Sequence, residues 1–168
     1  GRPEVQQVIP LNGHDERELL ARAAAVEASS EHHLAWAVLR KADEENVAYA
    51  PAQDFTAIPG MGAEASIDGR TFWIGSHRLL HERTNEEEAF HERAVQLEDA
   101  GHSLVCVGND NHVCGLLAIA DGVRPEAAAA IAAIKEAGVE HVVMLTGDNE
   151  GNARGVASEV GVDEYRAE

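Results

Sequence analysis

Residues 121–149 read DGVRPEAAAAIAAIKEAGVEHVVMLTGDN, and the change of pattern inside them decides the fold. Pro125 suits the first turn of a helix, Ala127 to Ile134 is an unbroken apolar run, and Gly138 supplies a stop after Ala137. His141 to Thr146 then reads as a continuous apolar, buried strand that enters Gly147-Asp148-Asn149, with a further helix behind it. Helix, buried strand, Gly-containing loop and helix is the rhythm of a parallel α/β sheet. A domain boundary is therefore expected near residue 121. Residues 121–168 are too few for a complete doubly wound domain, so this second unit reads as truncated.

Upstream the periodicities differ. Pro3 to Ile9 alternates loosely as a short strand, and Asn12-Gly13 breaks it. Asp15 to Ala28 places Leu19, Leu20, Ala23, Ala24 and Val26 at helical spacing, with acids in the first turn where the helix dipole favours them. A second helix carries Leu34, Val38 and Leu39 and ends near Asn46, so the two form a helical hairpin. From Gln53 the period is two: Ala63, Ala65 and Ile67 lead through Asp68-Gly69 into Thr71 to Ile74, a strong hairpin signal. Ser76 to Glu82 and the acidic stretch Glu86 to Asp99 read as helices, and Ser103 to Val107 and His112 to Ala120 as a second hairpin around Gly108 to Asn111. Residues 1–120 are thus expected to be an α+β domain, an antiparallel sheet with a helical hairpin and further helices packed on it.

Composition narrows the function. Thirty Asp and Glu against 13 Lys and Arg give a net charge of −17. That charge repels phosphates, which argues against nucleic-acid binding through a basic face and against docking on an anionic membrane. The longest apolar stretch, Ala127 to Ile134, has eight residues, whereas a membrane-spanning helix needs about 20. No secretory leader opens the chain, and Cys106 and Cys114, without a CxxC spacing, suit a reducing compartment and read as small packed hydrophobes facing each other across their hairpin. Lys41 and Lys135 are the only lysines. An acidic, Lys-poor, Ala-rich surface suits a high-salt cytoplasm, where screening weakens self-repulsion, although an ordinary acidic bacterial domain has the same composition.

Three groups of residues could carry chemistry. Thr146-Gly147-Asp148-Asn149 follows a strand and opens a helix, where free N–H groups attract phosphate and Asp148 could stand near a magnesium ion; the same residues would equally serve to cap the helix. Glu27, Ser30 and His32 lie in the break between the first two helices, and Gly60-Met61-Gly62 lies in the strand region. A purine needs a flat partner, an acceptor for its exocyclic amine and glycines where backbone comes close, roles open to His32, Glu27 and the Gly60/Gly62 pair; solvated helix-end residues and a bulge would give the same letters. His77 and His81, four apart, could clip a divalent ion with His91 or His33 as a third ligand, though solvated histidines on an acidic surface fit the pattern as well.

Taken in chain order these segments resemble the cytoplasmic ATP-binding region of a heavy-metal-transporting P-type ATPase. Ser30-Glu31-His32 with Leu34-Ala35 resembles that family's SEHPLA segment, and Gly60-Met61-Gly62 its GxG. Ile74-Gly75-Ser76 resembles its Gly-Asn turn, Asp121 to Arg124 its hinge DxxR, and Met144 to Asn149 its MLTGDN. The resemblance implies an adenine-contacting Glu27 and an adenine-stacking His32. It also implies nucleotide contacts at Gly60, Gly62, Gly75 and Ser76, a hinge at Asp121 and Arg124, and phosphoryl binding at Thr146, Gly147 and Asp148 in the assembled pump, with ATP and Mg²⁺ as ligands. Residues 1–120 would be the nucleotide-binding domain, and residues 121–168 part of a haloacid-dehalogenase-like phosphorylation domain. His33 stands where the family has Pro, and Ser76 where it has Asn.

Gly1 to Val5 resembles the segment after the family's DKTGTLT motif, and Tyr165 to Glu168 the residues ahead of its LLPEDK segment. The resemblance therefore implies a chain that lacks the phosphorylated aspartate, binds ATP or ADP, and does not turn ATP over alone. Its partners would be the transmembrane and actuator domains of the same plasma-membrane pump, with this chain on the cytoplasmic side and outside the bilayer. Val142 to Asn149 and Phe72 to Ser76 are similar to the zinc, cadmium and lead branch. Two rivals predict other behaviour. A haloacid-dehalogenase-like phosphatase with a cap domain needs an early DxD, which the sequence lacks, and a non-enzymatic His-rich metal-binding module would ignore nucleotides.

Overall fold

The alternating residues and their turns fold as an antiparallel sheet sandwiched between two helical layers. A computed structural model describes residues 2–84, 88–147 and 150–167. Its elements are β1 (Arg2–Pro10), α1 (Glu16–Glu27), α2 (His33–Glu44), β2 (Gln53–Ile58), β3 (Gly62–Ile67), β4 (Arg70–Gly75), α3 (His77–Arg83), α4 (Glu88–Asp99), β5 (Ser103–Asn109) and β6 (Val113–Gly122), followed by α5 (Pro125–Glu136), β7 (Val143–Leu145), α6 (Glu150–Val160) and β8 (Glu164–Arg166). Six strands pair antiparallel in the order β1-β6-β5-β4-β3-β2.

Strand alternation assigns the two layers. Phe72 and Ile74 of β4, Val105 and Val107 of β5 and Leu117 and Ile119 of β6 pack under α1 and α2, where Leu19, Leu20 and Val38 are fully buried. The alternate residues Trp73, Leu104, Cys106, Leu116 and Ala118 pack on Leu79, Leu80, Ala94 and Leu97 of α3 and α4. Each buried Leu, Ile, Val or Phe among them contributes about 1.5–3 kcal/mol by leaving water. Asp15 caps α1 by accepting the Glu18 N–H at 2.8 Å. Asp68 and Gly69 take φ of 51° and 76°, the left-handed pair that the tight hairpin between β3 and β4 requires.

Three details differ from the sequence reading. The run from Gln53 to Ile67 is two strands, because Gly60, at φ 72°, turns the chain back and Met61 donates its N–H to the Ile58 carbonyl at 3.0 Å. Cys106 and Cys114 lie in opposite layers and do not face each other. The pairs Val107↔Gly115 and Gly108↔Val113 leave Cys114 as the extra residue of a bulge, which turns its side chain to the α1 layer. The apolar strand after α5 is short and largely exposed, with Val143 40% and Leu145 75% accessible. A continuous apolar run reads as covered on both faces, but among the described residues β7 pairs only with β8, in parallel.

The α5-β7-α6-β8 unit is held by side-chain links across its turns. Lys135 donates to the Asp163 carboxylate at 2.7 Å and to the Gly161 carbonyl at 2.8 Å, while the other Asp163 oxygen accepts the Val142 N–H at 2.9 Å. Asp121 is inside β6, opposite Pro3 of β1, and Arg124 is the residue before α5. Among the described residues no helix is long and apolar enough to cross a membrane. Glu86 and Glu87, the start of the acidic helix read from the sequence, lie outside the described residues, as do Asp148 and Asn149.

Candidate functional site

The end of α1, the start of α2, the turn between β2 and β3 and the end of β4 meet around a cavity of about 440 Å³. Its lining includes Glu27, Ser30, His32, Gly60, Gly62, Gly75 and Ser76, with Leu34, Phe55, Met61 and Ile74 among the apolar walls. That size and lining, mostly apolar with a few convergent polar groups, is what small-molecule sites share. Six residues singled out from sequence thus come together here: Glu27, His32, Gly60, Gly62, Gly75 and Ser76.

The glycines are there because two backbones touch. Gly62 pairs with Gly75 across β3 and β4, and the Ser76 N–H donates to the Met61 carbonyl at 2.8 Å. A Cβ on Gly62 would run into the Ile74 carbonyl oxygen, and one on Gly75 into the Met61 carbonyl oxygen and Leu79. At Gly60 and Gly62 no side chain stands between the backbone and a ligand in the cavity, while Met61 between them contributes to the apolar wall.

The polar groups have distinct protonation tendencies. Glu27 is only 6% exposed, and burial raises its carboxyl above the ordinary range, an effect that a hydrogen bond from Ser30 opposes. Ser30 also accepts the His32 N–H on Oγ at 3.2 Å, which shapes the loop. His32 caps α2, its Nδ1 accepting the Leu34 N–H at 3.4 Å, and its pKa is lowered by desolvation and by neighbouring His33, whose ring centroid is 4.4 Å away. The neutral imidazole that results keeps a lone pair on Nδ1 and offers a ring face and an Nε2–H. Ser76 Oγ is buried with no hydrogen-bond partner among the described residues. A buried hydroxyl left so costs about 1–3 kcal/mol, which a ligand atom would recover. The cavity can therefore hold a flat heteroaromatic ring in an apolar slot, with an acceptor at Glu27 and a hydroxyl at Ser76.

Glu27 makes the site a liability for stability. Because its folded pKa lies above the unfolded value, the protonated form is favoured by folding, so this contribution is fully present below the ordinary carboxylate range and is lost as pH rises through the raised value. Glu27→Gln should accordingly raise the melting temperature at pH 8, with a gain that shrinks toward pH 4. Thermal unfolding of both proteins across that range checks it, and equal curves at every pH would contradict the buried charge.

Other singled-out residues stand apart. Asp121 and Arg124 do not line the cavity, and Thr146 and Gly147 sit at the carboxyl end of β7, where the Thr146 N–H donates to the Arg166 carbonyl at 3.0 Å. Asp148 lies outside the described residues. His33 is beside His32 rather than with His77 and His81, which gather His91 instead. Sequence reading misses Phe55 and Leu34 as wall residues, because their letters signal only a strand and a helix face. Separating β2 from β3 at Gly60 is what would place Phe55 at the cavity.

The haloacid dehalogenase-like hydrolase family matches residues 1–168, and the chain belongs to that family. Proteins similar to it include cadmium-, copper- and zinc-transporting P-type ATPases. A probable cadmium-transporting ATPase of Staphylococcus aureus is 35% identical over 173 aligned residues, covering 100% of this chain and 24% of that protein. A crystal structure of a zinc-transporting PIB-type ATPase in its E2.Pi state superposes with a TM-score of 0.81 at 36% identity, over 99% of this chain and 26% of that one. The isolated N-domain of HMA8, a copper-transporting P-type ATPase, matches 71% of this chain and 99% of its own, with a TM-score of 0.59 and 30% identity. The chain spans about a quarter of the length of the curated relatives it matches.

Proposed function

We propose that this chain is the ATP-binding cytoplasmic region of a heavy-metal cation-translocating P-type ATPase of the zinc, cadmium and lead branch. Residues 1–120 are its nucleotide-binding domain, residues 121–168 part of its phosphorylation domain, and Asp121 to Arg124 the hinge. The observation that carries the reading is the convergence of four separate segments on one cavity with the groups a purine nucleotide needs. The neutral His32 ring stacks on adenine, Glu27 accepts from its exocyclic amine, and the Gly60 to Gly62 turn with Ser76 Oγ takes the sugar and phosphate side. The full-length match to one isolated N-domain supports a separable first domain.

Thr146 and Gly147, at the carboxyl end of β7 ahead of α6, occupy the place where open α/β sheets bind ligands. In this reading they and Asp148 receive the phosphoryl end of ATP with Mg²⁺, which supplies charge neutralisation to the transferring group. The remaining partners are the transmembrane and actuator domains of the same plasma-membrane pump. The sequence carries no DKTGTLT segment, so binding and turnover are separable. A calorimetric ATP titration of the 168-residue chain should show saturable binding, while a steady-state phosphate-release assay stays at background. Absence of binding would overturn the reading, and sustained hydrolysis would place the phosphoryl acceptor inside this chain.

A further inference from the structure

On the sheet face opposite the helical hairpin, α3 and α4 bring three imidazoles together. His77 opens α3, His81 follows one turn later, and His91 stands on α4. One ring nitrogen from each lies within 4.8 Å of the other two, and the ring centroids are 4.5 Å (His77 to His81), 5.2 Å (His77 to His91) and 5.3 Å (His81 to His91) apart. His77 is 9% exposed, and its Nδ1 meets Glu98 Oε2 at 3.0 Å. A carboxylate on Nδ1 fixes the tautomer that leaves Nε2 as the ligand atom, the usual support of a metal-bound histidine.

We propose that His77, His81 and His91 form a site for a zinc-class divalent cation, with Glu98 positioning His77. Three imidazoles suit a borderline ion, and bonds of about 2.0–2.1 Å in tetrahedral geometry set ligand nitrogens about 3.4 Å apart, within reach of small side-chain rotations from the observed spacing. The chain's negative charge favours a cation there. The ion would tie α3 to α4, and α3 begins directly after Gly75 and Ser76. The second group of ligand-type residues, His14, His112 and Cys114, is a poorer host. There the Arg22 guanidinium stands 3.7 Å from Cys114 Sγ and 3.2 Å from His14 Nδ1, a fixed positive charge against the ligand atoms.

The site is independent of the nucleotide reading and is tested without nucleotide. Zn²⁺ is titrated into the 168-residue chain against a chromophoric chelator, and melting temperature is followed with and without Zn²⁺. One equivalent should bind and raise the melting temperature. Glu98→Gln should weaken binding about 10–100-fold, the range for loss of a supporting carboxylate. His81→Ala, at an exposed position, and His91→Ala should each weaken it at least as much and abolish the thermal shift, whereas His14→Ala should bind like the parent. A parent that fails to compete with the chelator, His81 and His91 variants that bind unchanged, or a loss confined to His14→Ala would each overturn the assignment.

Discussion

Gly62→Ala should both destabilise the chain and remove its nucleotide affinity. The methyl group would enter the Ile74 carbonyl, with Gly75 Cα only 2.6 Å away, and neither backbone atom can swing aside as a side chain can. The φ of 157° at Gly62 is a second obstacle, since residues with a Cβ seldom adopt it. Strands β3 and β4 must therefore separate at the Gly62↔Gly75 pair, which also breaks the approach of Ser76 to Met61. Forcing atoms into a packed site costs about 1–3 kcal/mol, and the loss should appear as a lower denaturation midpoint. Gly60→Ala is the informative contrast. Nothing lies within 4 Å of its added Cβ, so only its φ of 72° opposes the change, and it should cost less than Gly62→Ala. Equal stability of the Gly62 variant and the parent would contradict the close approach of the two strands.

His32→Ala should weaken ATP binding by about 1–3 kcal/mol, the range for loss of one base–aromatic stack, or about fivefold to more than a hundredfold in affinity. The side chain has a second duty as the cap of α2, and losing an N-cap costs about 0.5–2 kcal/mol of stability. His32→Asn separates the two, because the amide oxygen can accept the Leu34 N–H while the ring is gone. It should bind ATP as weakly as the alanine variant and melt closer to the parent. Calorimetric titration and thermal unfolding of both variants provide the comparison, and His141→Ala, far outside the cavity lining, should match the parent. Retained affinity in the asparagine variant would move the stacking role elsewhere.

The sequence shows local signals more clearly than where they meet. The acidic first turn from Asp15, the Asp68-Gly69 turn and the stop at Gly138 are short-range chemistry, and the structure places helices and hairpins where those letters put them. Long-range pairing is less visible. The antiparallel neighbours β1 and β6 are more than a hundred residues apart, and β8 has only three residues with no distinctive pattern. The bulge at Cys114 is legible only from register, which is why symmetric counting around Asp110 puts the two cysteines face to face. The motif residues Glu27, His32, Gly60, Gly62, Gly75 and Ser76 are legible as parts of a resemblance; that they share one cavity is a fact of tertiary structure. The apolar wall formed by Phe55 and Leu34 has no signal beyond ordinary core periodicity. The histidine trio lies between these cases: His77 and His81 are a visible i,i+4 pair, while the choice of His91 over His33 depends on how α4 packs on α3.

The central claim is that the cavity between the α1-α2 break and the glycine turn is where a nucleotide binds. Backbone amide shifts of the isotope-labelled chain, followed by NMR during an ATP titration, test it most directly. The largest perturbations should fall on Gly60, Gly62, Gly75, Ser76 and the Ser30 to His32 loop, saturating together with one affinity. Perturbations confined to α5, β7, α6 and β8, with the glycine turn unmoved at saturation, would contradict it.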